Sequence, residues 1–297
     1  MIASIIITTL NRPELVLKRS LPSAERQTFK GKYEIILVDD GSTMSYNKVL
    51  EHMKGSTVPF KYIELDVNRG LSYARNRGVR EAQGTYIVCL DDDNELLPDF
   101  LKETIATIGN ADAVSVGRII KYPEKGYQDY APPYKKDEKF ISLDWGWLIR
   151  KSVFDVIRYD EDMRANEDAD FGIQFTKRFS YTSLNSPLAV AYDQEGDPKL
   201  SMSYPSERIL HGIRYYLDKN LHEYKNYPNE LRYIYRLAGR RFYLGGYKKE
   251  GIKYFWLSFR AMPNWKTFKH LFFILLGWKA YDWYMTFYEK REANKKL

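Results

Sequence analysis

The sequence predicts an α/β protein: a mainly parallel, Rossmann-like sheet with helices on both faces, followed by a helical extension at the C-terminal end. Three observations carry that prediction. Over the first 120 residues, continuous apolar runs alternate with amphipathic stretches, the pattern of strands covered on both faces by crossover helices. Three of those runs end in polar clusters: Thr8-Thr9-Leu10-Asn11, Asp39-Asp40-Gly41-Ser42 and Asp91-Asp92-Asp93-Asn94. Beyond about residue 205 the strand-like runs give out and apolar residues recur at helical spacing.

Taken in order, Ile2 to Thr8 is the first strand. Glu14 to Gln27 is the first helix, entered through Asn11-Arg12-Pro13 with proline near the first turn. Tyr33 to Val38 and Phe60 to Leu65 are the second and third strands. Leu71 to Gln83 is a clear helix, Thr85 to Leu90 the fourth strand, Pro98 to Ile108 helical, and Ala113 to Ile119 strand-like. Lys121 to Lys139, rich in Pro, Tyr and Lys, reads as a loop, and an irregular α+β portion follows to Tyr204. In the tail, Leu231, Ile234, Tyr235, Ala238 and Phe242 keep helical spacing, as do Ile252, Phe255, Trp256 and Phe259. The expected division is therefore a body, 1–204, with halves 1–120 and 121–204, and a tail, 205–297.

Composition narrows the classes. Of 297 residues, 44% are hydrophobic and 29% charged, as in a globular protein rather than a disordered one. The net charge of +7 is unevenly spread: residues 206–297 hold 19 Lys+Arg against 8 Asp+Glu, and residues 1–205 hold 27 against 31. Those last residues also carry 23 of the 46 aromatics, so an acidic body precedes a basic, aromatic tail. A single cysteine, Cys89, excludes an internal disulfide and points to a reducing compartment. The longest apolar run of the tail, Leu271 to Leu276, is far short of the roughly 18 residues a bilayer span needs. Met1 runs straight into apolar residues with no basic leader, so the expected location is cytoplasmic, or peripheral on the inner face of the cell membrane. No GxGxxG, phosphate loop, HExxH or GxSxG occurs, which argues against dinucleotide dehydrogenases, P-loop NTPases, zinc proteases and serine hydrolases. A pI near 9.1 raises nucleic acid as a partner, but no such motif is present and the body is acidic, so none is expected.

In an open α/β sheet, ligands bind in the crevice outside the carboxyl ends of the strands. Here three polar strand ends converge there, two of them carboxylate clusters. Consecutive aspartates on a buried strand are electrostatically costly unless a cation or several donors compensate them. All-oxygen ligands suit Mg2+ or Mn2+, which bridge carboxylates to phosphate oxygens. A metal-assisted site for a phosphorylated ligand follows, against the plainer reading in which aspartates simply terminate strands.

Residues 4–11 (SIIITTLN), 35–42 (IILVDDGS), 68–78 (NRGLSYARNRG) and 84–100 (GTYIVCLDDDNELLPDF) resemble the family 2 glycosyltransferases of the GT-A fold. The likeness continues at Arg150 to Phe154, Tyr159-Asp160-Glu161 and Asn166-Glu167-Asp168-Ala169-Asp170-Phe171, covering about residues 2–204. It implies an inverting, non-processive enzyme that moves a hexosyl or N-acetylhexosaminyl group from a nucleotide sugar, a UDP-sugar first, onto an acceptor hydroxyl in cell-surface polysaccharide or lipid-linked glycan assembly. Carried over by position, Thr9 and Asp40 hold the nucleobase end of the donor, Asp39 supports the turn, and Arg75 lines the nucleotide pocket. Asp91-Asp92-Asp93 matches the family's DXD run, with Asp91 and Asp92 on the nucleotide and Asp93, with Asp91, on Mn2+ or Mg2+. Asp168 matches the catalytic base, with Glu167 beside it. Trp145 and Trp147 fall where the acceptor or donor-sugar loop is expected, although two tryptophans fit a core as well. Residues Tyr192 to Asp197 offer only further oxygen ligands. Two other classes stay open: a nucleotidyltransferase that makes the activated sugar, and a non-catalytic binding protein on the same fold.

The tail has three readings: helices lying on an anionic membrane, a homodimer interface, or packing on the body.

Overall fold

The computed structural model describes residues 1–122, 127–192 and 206–284. The chain divides into two compact units, Met1–Glu195 and Gly196–Leu297. That boundary and the expected one at 204/205 both fall within 193–205, outside the described residues, as does the stretch from Asp193 to Asp197.

Unit one is built on a single sheet of nine strands: β1 (Ala3–Thr9), β2 (Tyr33–Asp39), β3 (Phe60–Glu64), β4 (Tyr86–Asp91), β5 (Glu95–Leu96), β6 (Ala113–Tyr122), β7 (Tyr127–Ala131), β8 (Leu148–Arg150) and β9 (Tyr181–Tyr192). They lie side by side in the order β3-β2-β1-β4-β8-β6-β9-β5, with β7 paired to β6. The first four are parallel. Beyond β4 the sheet is mixed: β8 runs antiparallel between β4 and β6, β9 is parallel to β6, and β5 is antiparallel on β9. The expectation of a mainly parallel sheet holds for the first half and is corrected for the second. Strands β5 and β8 are two and three residues long, too short to carry a periodic signal. The segment read as a loop from Lys121 also contains β7, whose pairing partner β6 supplies what local composition could not show.

Seven helices and a π-helical turn accompany the strands: α1 (Pro13–Leu15), the π turn Val16–Ser20, α2 (Leu21–Glu25), α3 (Asn47–Lys54), α4 (Leu71–Glu81), α5 (Phe100–Thr107), α6 (Val153–Val156) and α7 (Glu167–Thr176). Alternation along the strands feeds two cores. Ile5 and Ile7 of β1, Ile35 and Leu37 of β2, and Val88 and Leu90 of β4 face Val16, Leu21, Val49 and Phe100. Ile6, Ile36, Val38, Ile87 and Cys89 face Ala74 and Val79 of α4, Phe154 of α6 and Phe171 and Phe175 of α7. Each such aliphatic side chain contributes about 1.5–3 kcal/mol when fully buried. Helix α4 sits so close to β1 that a Cβ on Gly78 would lie 2.4 Å from the Ile6 side chain.

Unit two comprises α8 (Glu207–Asn220), a 3-10 turn (Leu221–Tyr224), α9 (Pro228–Leu244), α10 (Lys248–Ala261) and α11 (Trp265–Leu275). Helices α9 and α10 form a hairpin about Gly245-Gly246 and close on each other at Gly239 and Gly251, where a Cβ on Gly251 would lie 2.8 Å from the Gly239 carbonyl. Tyr243, Phe255, Leu271, Ile274 and Tyr281 form its buried cluster.

Candidate active site

Strands β1, β2 and β4 end at one level, because their register pairs Thr9 with Asp39 and Thr8 with Asp91. The Thr9 hydroxyl donates to Asp92 Oδ2 (2.8 Å) and lies 2.7 Å from the Tyr46 hydroxyl. Asp39 is buried and accepts from the Ser42 amide and the Tyr62 hydroxyl, each at 2.9 Å, so it holds the turn after β2. Burial, with Asp39 beside it, pushes the Tyr62 phenol well up. Both carboxylate oxygens of Asp40 take backbone amides at the entry to α4, Arg69 (2.7 Å) and Gly70 (2.8 Å). Asp40 therefore already anchors the loop ahead of α4, a duty its residue type did not reveal.

The aspartate run alternates. The Asp91 and Asp93 carboxylates are partly open, at 26% and 22% exposure, whereas that of Asp92 is fully closed. Asp92 is turned onto Thr9 and Arg12, whose guanidinium meets it at 2.6 and 3.1 Å. Burial pushes the Asp92 carboxyl up to about 7, although Arg12 and Thr9 hold it down. Where the sequence suggests a contact of Asp92 with a nucleotide, the structure places its carboxylate between the ends of β1 and β4, on Thr9 and Arg12. Asp93 pairs with Arg12 (3.0 Å), and the Asp93 carbonyl accepts from Arg19 (3.0 Å). Asp91 is pushed up by burial and by Asp93 and Asp144, against the opposing pull of Arg75.

Arg75, in the segment expected to line the nucleotide pocket, has a side chain that is 2% exposed and bridges two elements. It reaches Asp91 on β4 at 3.0 Å and Glu167 at the start of α7 at 3.4 Å, with its guanidinium carbon 5.2 Å from the Tyr159 ring centroid. Its Nε finds no acceptor among the described residues. Burial and the neighbouring Asp168 push the Glu167 carboxyl up, with Arg75 opposing. Asp168 accepts a short hydrogen bond from the Ser142 hydroxyl, and its carbonyl accepts from the Leu143 amide at 3.2 Å. Asn166, at φ 62°, turns the chain into α7 without a side-chain cap bond, and Glu167, Asp168 and Asp170 lie in the helix's first turn. Gly172 lets α7 approach: a Cβ there would lie 1.9 Å from the Ile141 carbonyl oxygen. The two acidic groups singled out in the sequence, Asp91 and Glu167-Asp168, are thereby brought together through one guanidinium.

Trp145 and Trp147 are both buried, one in each core. Trp147 donates to the Ser142 carbonyl (3.1 Å) and stacks on Tyr134 with ring centroids 5.6 Å apart. Trp145 lies under Arg118, which forks onto Asp144 at 2.8 and 2.6 Å. Neither ring offers a free face to a sugar, so the expectation of a stacking loop gives way to packing. Sequence reading missed Arg12, Tyr46, Arg118 and Ser142 as site-shaping groups. Arg12 alone had a signal, its place in a polar strand end; the others reach their partners across 26 to 37 residues of chain.

Among the described residues no three His, Cys, Asp or Glu side chains converge to hold a metal ion. Asp91 and Asp93 nonetheless suit a hard cation as donors: both offer only oxygen and are partly open, although each already meets a guanidinium at 3.0 Å, Asp91 that of Arg75 and Asp93 that of Arg12.

Parallel strands with acidic ends, facing a helix that opens on two further carboxylates, give an α/β architecture of the GT-A kind. Residues 4–160, over half of the chain, match Glycosyl transferase family 2; the chain belongs to that family and is a glycosyltransferase. A protein named as a colanic acid biosynthesis glycosyl transferase, WcaA of Escherichia coli (strain K12), is 25% identical over 257 residues, covering 80% of this chain and 88% of that protein. The GalNAc(5)-diNAcBac-PP-undecaprenol beta-1,3-glucosyltransferase of Campylobacter jejuni is 28% identical over 177 residues, 55% of this chain and 56% of that enzyme. Residues 1–349 of S. aureus TarS, solved in complex with UDP-GlcNAc, share the fold with a TM-score of 0.62 at 20% identity, over 89% of this chain and 82% of that one. The transferase identity sets aside the nucleotidyltransferase and non-catalytic readings.

Proposed function

We propose that the chain transfers a sugar from a UDP-sugar to an acceptor hydroxyl of a lipid-linked or cell-surface glycan in a single displacement with inversion. One observation carries the reading: Arg75 fastens the Asp91 end of β4 to the Glu167-Asp168 start of α7, so leaving-group and acceptor chemistry share one frame. The UDP-sugar is supported by the fold shared with the S. aureus protein bound to UDP-GlcNAc, and the lipid-linked acceptor by the Campylobacter relative's name.

Asp168 is the general base. A carboxylate within about 3 Å of an acceptor hydroxyl takes its proton as the oxygen attacks the anomeric carbon. Ser142 fixes one carboxylate oxygen, which leaves the other to face the acceptor. Asp91 and Asp93 would hold Mn2+ or Mg2+, which would supply positive charge to offset that of a departing diphosphate. With one base on the acceptor side and no second nucleophile assigned, displacement is direct.

Asp168→Asn should leave donor-dependent thermal stabilisation intact and lower transfer by about 10²–10⁴-fold. Transfer at wild-type rate would remove Asp168 from the mechanism. Loss of metal-dependent donor stabilisation in Asp93→Ala is the companion result; stabilisation unchanged by that substitution or by chelation would refute the metal assignment.

A further inference from the structure

Helix α11 has two apolar faces. Leu271 and Ile274 are buried within unit two, in the cluster with Tyr243, Phe255 and Tyr281. On the opposite side Trp265, Phe268, Phe272 and Leu275 recur at three- and four-residue spacing and are 68%, 39%, 45% and 61% exposed. The exposed rings are continuous: Trp265 stacks on Phe268 at 5.2 Å, and Phe268 on Phe272 at 6.1 Å. Phe259 meets Phe268 edge-on and connects to the exposed Trp256 of α10 at 5.7 Å. A contiguous apolar surface of this kind marks a docking site.

Its surroundings identify the occupant. Lys253 and Arg260 are exposed on α10 at helical spacing from Trp256, and the Lys269 ammonium lies 5.5 Å from the Trp265 ring centroid. From Lys248 to Tyr284 there are seven basic residues against two acidic ones. Aromatic side chains rimmed by lysine and arginine match the boundary between acyl chains and anionic headgroups. No helix among the described residues is long and apolar enough to cross a bilayer, so the fitting geometry is a helix lying in its surface.

We propose that this face docks on an anionic lipid bilayer, with Trp265, Phe268, Phe272 and Leu275 among the acyl chains and Lys253, Arg260 and Lys269 at the lipid phosphates. The inference does not depend on the transfer reaction proposed above. Where both hold, the enzyme works at the surface that carries a lipid-linked acceptor.

Flotation of the full chain with vesicles of phosphatidylglycerol and phosphatidylcholine, against phosphatidylcholine alone, tests it. Wild type should float with the anionic vesicles, less at high salt, and Phe272→Glu with Leu275→Glu should lower the bound fraction roughly tenfold or more. Lys253→Glu and Arg260→Glu at exposed positions, with Lys269→Glu at a half-buried one, should together remove the anionic preference by a similar factor. Donor-dependent thermal stabilisation should survive in both variants, which separates docking from damage to the site. No flotation of wild type overturns the proposal. So does a dimer in sedimentation that the Phe272 and Leu275 changes dissociate while vesicles bind neither form, because a second copy then covers the face.

Discussion

Replacing Arg75 with methionine removes one guanidinium from between two carboxylates while keeping most of the aliphatic bulk. The Arg75 side chain is 2% exposed and lies 3.0 Å from Asp91 and 3.4 Å from Glu167. Burial already pushes both carboxyls up, and Arg75 is the first group opposing that rise in each. Losing one partner of a buried pair costs about 3–5 kcal/mol, and that range is expected here at pH 8. The penalty falls on the ionised forms, so its size follows pH. A carboxyl whose folded pKa lies above its unfolded value of about 4 binds its proton more tightly when folded. Its destabilising effect is absent below the unfolded value and grows as pH rises toward the folded one. Arg75→Met moves the folded values further up, so the loss should be clearly smaller at pH 5 than at pH 8. Urea denaturation at both pH values measures it. A loss below about 1 kcal/mol at pH 8, or one equal at the two pH values, would refute the bridge as a source of stability.

Three further outcomes follow from the same geometry. Arg12→Ala strips Asp92 of its guanidinium, and the carboxyl at about 7 should rise further. Stability should then fall by roughly 1–3 kcal/mol at pH 8 and by less at pH 5, again by urea denaturation, and a pH-independent loss would count against the ion pair. Gly172→Ala places a methyl 1.9 Å from the Ile141 carbonyl, so α7 must move off the Ser142 segment; a Tm drop and a fall in transfer with donor stabilisation retained are expected. Trp147→Phe removes the bond to the Ser142 carbonyl and part of the Tyr134 stack, for a loss of about 1–3 kcal/mol; donor-dependent stabilisation should persist, because the ring is packing rather than a sugar platform.

Much of the site was legible because strand ends announce themselves. A buried parallel strand is apolar until it leaves the sheet, so Thr9, Asp39 and Asp91 stand out at the point where β1, β2 and β4 stop. Glu167-Asp168 was visible for a similar reason, two carboxylates opening an apolar helix. Which member of each cluster faces the crevice was not visible. Asp92 and Asp40 look like their neighbours in sequence, but Thr9 and Arg12 claim one and the amides before α4 claim the other.

By itself the sequence determined the alternation of strands and helices, the parallel half of the sheet, the acidic crevice and the split between an acidic body and a basic, aromatic tail. These are properties of local periodicity and charge, which each segment carries alone. Only the tertiary structure decided the antiparallel insertion of β8, the burial of Trp145 and Trp147, and the bridge that Arg75 makes from β4 to α7. Each of those depends on a partner distant in the chain, and a side chain's exposure and charge state are set by what packs against it.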